Sequence, residues 1–155
     1  MDTLAARLRQ AGQTLSTAES CTGGLLGGRL TDMPGSSAYY LGGVISYANE
    51  VKQKILGVRT ESLGLHGAVS EEVAREMAEG VRRLSGSDWS VATTGVAGPD
   101  GGTEAKPVGL VWIAIAGPAS TWACECRFAG GRDAVRRQAV DEALRLLTEI
   151  TAVPQ

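Results

Sequence analysis

A chain of 155 residues, 43 % apolar and 21 % charged, has the length and balance of one globular domain with its own core. A net charge of −2 supplies no basic field for a nucleic-acid backbone, and no apolar run approaches the roughly 20 residues that cross a bilayer. Three cysteines, an odd number with no secretion signal before them, point to reduced thiols in the cytoplasm rather than to a disulfide framework.

Leu4, Leu8 and Ala11 lay a helical stripe along residues 2–11, which Gly12 ends. A short strand is expected at 13–17, then a sharp turn at Ser20 and a helix over 22–31. Residues 32–37 read as a loop. The run 39–47, YYLGGVISY, is strand-like, and Gly42 and Gly43 inside it mark a close approach of backbone or ligand. Asn49 can cap a helix that runs to Leu56 and stops at Gly57. Residues 60–67 read as irregular. Ser70 caps a clear helix, with Glu71 and Glu72 in its first turn and Val73, Met77, Val81 and Leu84 as its buried stripe. A strand at 89–94 leads into a glycine-rich loop over 95–107. The apolar run 108–116 reads as a central strand, and a second strand at 120–128 brings Cys124 and Cys126 to one side. After Gly130-Gly131 a last helix over 132–151 is striped by Val135, Ala139, Ala143, Leu146 and Ile150. The order α-β-α-β-α-α-β-β-β-α argues for an α/β fold, a three-layer α/β/α single domain over 1–155 with a mixed, mostly parallel sheet.

The stretch Thr17-Ala18-Glu19-Ser20-Cys21-Thr22-Gly23-Gly24 joins a strand to a helix. Backbone N–H groups at a helix start lack internal partners and carry the positive end of the dipole. Ser20 there is a candidate nucleophile, with the N–H groups of Cys21, Thr22 and Gly23 as an oxyanion hole; equally, Ser20 or Thr22 caps the helix. A serine needs a base. The single histidine, His66, sits in the irregular stretch between Leu65 and Gly67. Among three lysines, Lys52 follows an unusually polar strand end; in a dry cleft it would give up its proton more readily, and on a solvated helix face it would not. The loop from Thr94 to Pro107 leaves a strand end, where open α/β sheets bind ligands. Gly95, Gly98, Gly101 and Gly102 let its N–H groups converge on an anion. Arg132 and Arg136, at the start of the last helix, suit bidentate binding of phosphate or carboxylate, or a solvated surface. One histidine and a lone C-x-C do not make a metal site, so neither a metal nor a cofactor is expected.

TAESCTGG at 17–24, PGSS at 34–37, GGVISYANEVKQ at 42–53, GAVSEEVA at 67–74 and TTGVAGPDGGTEAKPVG at 93–109 are similar to the CinA C-terminal domain family. Stand-alone members of that family are nicotinamide-nucleotide amidohydrolases. The resemblance implies hydrolysis of the carboxamide of nicotinamide mononucleotide to nicotinic acid mononucleotide and ammonia, in pyridine nucleotide recycling. It places the family's serine on Ser20, its tyrosine on Tyr47, its lysine on Lys52 and a functional threonine on Thr94. A family arginine falls on Arg132 or Arg136. Tyr47 would relay the Ser20 proton to Lys52 or orient the amine. Gly43 and the glycines of the 95–102 loop would approach the substrate. Ala48 departs from the serine found in many members. The other readings are a non-catalytic nucleotide- or partner-binding module, and an amidase acting on a related nicotinamide compound. Alternating apolar strand faces and three tryptophans leave room for a homodimer.

Overall fold

The computed structural model describes residues 2–154. Five strands, β1 (Leu15–Glu19), β2 (Tyr40–Ile45), β3 (Trp89–Gly95), β4 (Leu110–Ala116) and β5 (Thr121–Arg127), form one sheet in the order β2-β1-β3-β4-β5. Six helices cover it: α1 (Asp2–Ala11), α2 (Leu25–Thr31), α3 (Asn49–Leu56), α4 (Thr60–His66), α5 (Glu71–Ser85) and α6 (Arg132–Ala152). The sheet is mixed, as expected, but not mostly parallel. β1 pairs in parallel with β2 and β3, while β3–β4 and β4–β5 are antiparallel. The tight turn at Gly117-Pro118 permits only an antiparallel return, and the 95–109 loop returns β4 the same way.

Strand alternation sorts the side chains into two cores. Leu15, Trp89, Val91, Val111, Ile113 and Ile115 face α1, α2 and α6. Ala18, Ala92, Ala114 and Ala116 face α5, beside Ala74, Met77, Ala78 and Val81. Small residues on that second face bring α5 close enough for Ser90 Oγ to donate to the Ala78 carbonyl at 2.6 Å. The three tryptophans belong to these cores: Trp122 stacks on buried Trp89 with centroids 6.2 Å apart, and Trp112 packs against the α5 side. Gly80 is where α3 crosses α5. A Cβ there would stand 2.0 Å from the Leu56 carbonyl oxygen. Gly80→Ala is therefore expected to lower unfolding stability by about 1–3 kcal/mol, measured by urea denaturation, although alanine is the better helix former.

Several elements differ from their expected limits: β2 is shorter than 39–47, β4 starts at Leu110 rather than 108, and three others differ for physical reasons. β1 starts two residues later than expected and runs on to Glu19, because its polar side chains find buried partners: Ser16 meets Ser87 Oγ at 2.7 Å and Thr17 meets Tyr40 Oη at 2.8 Å. α2 starts at Leu25 rather than 22, because Gly23 and Gly24 adopt left-handed φ of 57° and 105°. Residues 60–66 are helical, not irregular. Weak local propensity there, with Gly64 inside, is overridden by ties to neighbours: Ser62 Oγ donates to Glu76 at 2.9 Å and Gln53 to Thr60 at 3.1 Å. Asn49 is the first helical residue of α3, not its cap, whereas Ser70 does cap α5 by accepting from the Val73 N–H.

Strand direction gathers the chain's loops. β1, β2, β3 and β5 run the same way, and β4 runs against them, so the ends of four strands and the start of β4 share one edge. From β1 the chain crosses through α2 on one face of the sheet to β2. It returns through α3, α4 and α5 on the other face to β3. The crossovers part at β1, which makes its C-terminal end a topological switch point, where α/β sheets open a crevice. Ser20 is the next residue.

Candidate active site

Ser20 continues the alternation of Ala18 and so points to the α3–α5 side of the sheet. Backbone bonds fix its position: the Ser20 N–H donates to the Thr93 carbonyl at 2.9 Å, and the Ser46 N–H donates to the Glu19 carbonyl at 2.7 Å. These bonds tie the ends of β1, β2 and β3 together. The helix start behind Ser20 is already occupied. Glu19, 2 % exposed, turns its carboxylate into the N-terminus of α2 and accepts from the N–H groups of Gly24, Leu26 and Gly27 and from the Thr22 hydroxyl. An acidic side chain at a helix start gains from both the free N–H groups and the dipole. Neither Ser20 nor Thr22 is the cap. The Gly23 N–H is also engaged, by the Ser20 carbonyl at 3.1 Å. Of the three donors expected for an oxyanion, Cys21 is the one whose residue lines the adjoining cavity; Thr22 is fully buried and does not.

Lys52 comes up from α3 and is 1 % exposed. Its Nζ stands 3.1 Å from Ser20 Oγ, 2.7 Å from the Ser46 carbonyl and 3.3 Å from the Tyr47 carbonyl. Burial lowers its pKa below the ordinary lysine value of 10.5, since an ammonium loses its hydration there. In the neutral amine, two N–H groups serve the two carbonyls and the lone pair is left facing the Ser20 hydroxyl. No carboxylate is paired with this lysine among the described residues. Cys21, beside Ser20, is buried and its thiol is pushed up to about 12, chiefly by desolvation, so it stays protonated and is a poor nucleophile.

Ser20 and Lys52 open into a cavity of about 300 Å³ at the shared strand edge. Cys21, Tyr47, Thr94, Gly95, Gly98, Gly101 and Arg132 also line it. The Thr94 hydroxyl donates to the Ala68 carbonyl at 2.8 Å, which fastens the α4–α5 corner to the end of β3. Tyr47 meets the lysine only through its backbone carbonyl. Its phenol lies in the rim, 61 % exposed, accepting from Arg132 at 3.0 Å, and is bonded to neither Ser20 nor Lys52. Arg132 also donates to the Gly98 carbonyl at 2.7 Å, so it joins the glycine loop to the rim. Arg136 does not line the cavity. Its guanidinium donates to the carbonyls of Cys21 and Thr22 from behind, at 3.1 and 3.2 Å, and braces the turn. Of the two arginines, Arg132 is the one placed to meet a ligand.

Other expected contacts lie elsewhere. The Thr22 hydroxyl is buried between Glu19 and Thr93. Gly23 keeps clear of Arg136, and Gly102 of Val108. Gly43 sits in the sheet opposite Thr17, whose Oγ1 would be 2.1 Å from a Cβ, so packing and not substrate requires glycine there. His66 lies on the surface near Glu72, 3.8 Å away, and not at the cavity. No cluster of three or more His, Cys, Asp or Glu side chains able to hold a metal occurs among the described residues. No helix among them is long and apolar enough to cross a membrane.

Asn49, Ala68, Val69 and Asp100 line the cavity without having been named as site residues from the sequence. Asn49 had a signal, standing three residues before Lys52 and hence on the same helix face. Ala68 and Val69 had only their place in the motif GAVSEEVA; as apolar residues at a helix–helix corner they otherwise enter through the fold.

Residues 1–151 match the family model of the CinA C-terminal domain. A CinA-like protein of Anaeromyxobacter sp. (strain K) is 54 % identical over 142 residues, which cover 92 % of this chain and 35 % of that protein. A CinA-like protein of Gloeobacter violaceus is 55 % identical over 145 residues, covering 92 % and 34 %. The chain thus spans about a third of the length of the curated relatives it matches. Among solved structures, the competence damage-inducible protein A (ComA) from Klebsiella pneumoniae superposes with a TM-score of 0.96 at 40 % identity, over 99 % of this chain and 96 % of that one. The competence/damage inducible protein CihA from Agrobacterium tumefaciens gives 0.90 at 42 % identity, over 95 % and 93 %.

Proposed function

The chain belongs to the CinA C-terminal domain family, and from that premise we propose that it hydrolyses the carboxamide of nicotinamide mononucleotide by a serine–lysine mechanism. One observation carries the reading: a buried lysine without a carboxylate partner, 3.1 Å from a serine hydroxyl, with carbonyls on its other bonds. Burying an amine costs several kcal/mol if it stays charged, so a fold keeps one there for the neutral form's basicity.

In this scheme Lys52 Nζ takes the Ser20 proton as Oγ bonds to the carboxamide carbon. The carbonyl oxygen becomes an oxyanion facing the N–H group of Cys21, a contribution of about 3–4 kcal/mol in comparable sites. The tetrahedral carbon expels its amino group as the Lys52 ammonium returns the proton, and ammonia leaves. Lys52 then takes a proton from water, whose oxygen attacks the acyl ester. Collapse breaks the Ser20 ester bond and gives the acid and a restored hydroxyl. Arg132 receives the phosphate at the rim.

Incubation with nicotinamide mononucleotide is expected to release ammonia and nicotinic acid mononucleotide in equal amounts. Free nicotinamide and its riboside are expected to react more slowly, because they lack the phosphate. Ligand binding without ammonia would instead identify a non-catalytic nucleotide-binding module. Preferred turnover of the riboside or of nicotinamide would identify an amidase for a related compound. Arg132→Ala is expected to raise KM for the mononucleotide about tenfold or more while leaving KM for the riboside nearly unchanged, as read from steady-state kinetics.

A further inference from the structure

The cavity has one charged group that the scheme above leaves idle. Three charged side chains line it: Lys52, Arg132 and Asp100. Lys52 has three partners of its own, and Arg132 is engaged by the Gly98 carbonyl and the Tyr47 phenol. Asp100, exposed at the edge of the cavity, pairs with no cation and accepts no hydrogen bond among the described residues, though it shares the cavity with a guanidinium. It lies in the turn Pro99-Asp100-Gly101, where an aspartate ordinarily bonds a nearby backbone N–H, but no such bond is made here. Gly101, at φ 85°, leaves open space beside it.

Solvent satisfies an exposed carboxylate, and a ligand that displaces that water must donate hydrogen bonds in its place, because a carboxylate only accepts them. It would repel a phosphate. The carboxamide does carry N–H donors, but that group must lie at Ser20. Between these two ends a mononucleotide offers one set of donors, the vicinal hydroxyls of its ribose. Carboxylates recognise ribose hydroxyls in this way at the strand ends of other α/β sheets. We propose that Asp100 is the ribose anchor, accepting from the vicinal diol while Arg132 holds the phosphate. The two anchors are mechanically linked, because Arg132 grips the Gly98 carbonyl two residues before Asp100. The assignment rests on the reading of this cavity as a mononucleotide site and names the sugar that the site requires.

Calorimetric titration with ribose 5-phosphate and with 2-deoxyribose 5-phosphate tests it without need of turnover. The native protein is expected to bind the ribose compound about tenfold more tightly, the size of one hydrogen bond to a charged acceptor. Asp100→Asn is expected to bind both equally. With nicotinamide mononucleotide, Asp100→Asn is expected to raise KM about tenfold with kcat within about twofold. Equal binding of the two sugars by the native protein, absence of binding by either, or a preference that survives in Asp100→Asn would overturn the assignment. A preference lost in Asp100→Asn, in a protein that releases no ammonia from the mononucleotide, would uphold the ribose anchor and refute the amidase reading.

Discussion

Ser20→Ala is expected to cut ammonia release from nicotinamide mononucleotide by about 10⁴-fold or more, the loss typical of removing a serine nucleophile. No neighbour can replace it. The Thr94 hydroxyl proton is held by the Ala68 carbonyl, and the Thr22 hydroxyl is buried against Glu19 and Thr93. The Cys21 thiol is held protonated by burial. The substitution also separates the two local readings of this serine. A helix cap lost to alanine costs about 1 kcal/mol. Here Glu19 occupies the start of α2, while the backbone bonds of Ser20 to Thr93 and Gly23 do not involve its hydroxyl. Urea denaturation is therefore expected to show Ser20→Ala nearly as stable as the native protein, with nucleotide binding retained. Activity within tenfold of native would rule out the covalent scheme.

The expected elements appear where periodicity and caps were strong. Ser70 with its acidic first turn, the αL stop at Gly57 and the apolar run of β4 are local features with local causes. The missed helix at 60–66 is held by Glu76 and Gln53, partners that a propensity reading of that segment does not see. The site follows the same division. Ser20 showed itself as a hydroxyl at a strand–helix joint, and Lys52 as one of few candidate bases. Their meeting depends on two nonlocal facts: the parity that turns Ser20 to the α3 side, and the crossover that carries α3 to that face. What the sequence could not show is which backbone groups are free. Glu19 fills the helix start that the alternative reading gave to Ser20 or Thr22, Arg136 braces the turn from behind, and the Tyr47 phenol turns to Arg132. Each of these depends on side-chain direction in a folded neighbourhood, not on residue type.

Lys52→Met is expected to lower turnover by about 10²–10⁴-fold, the range for loss of a positioned general base, while filling the same space with an uncharged chain. The native enzyme supplies the signature that identifies the base. Because burial holds the Lys52 pKa below 10.5, kcat/KM is expected to rise with pH as the free enzyme's lysine loses its proton, and to level off above that pKa. The residual activity of Lys52→Met should lack that rise. Stability must respond to the same proton. Between the lowered folded pKa and the ordinary value near 10.5, the unfolded chain keeps the proton that the folded one has released. It therefore binds more protons in that window, and native stability rises with pH across it. Below the folded pKa the lysine is protonated in both states, the window's contribution is absent and the buried charge weighs against the fold. Denaturation of the native protein and of Lys52→Met across this pH range is thus expected to give a difference that begins to climb where native activity is half maximal. A difference curve that stays flat while activity rises would assign the activity limb to another group and leave Lys52 without the role of base.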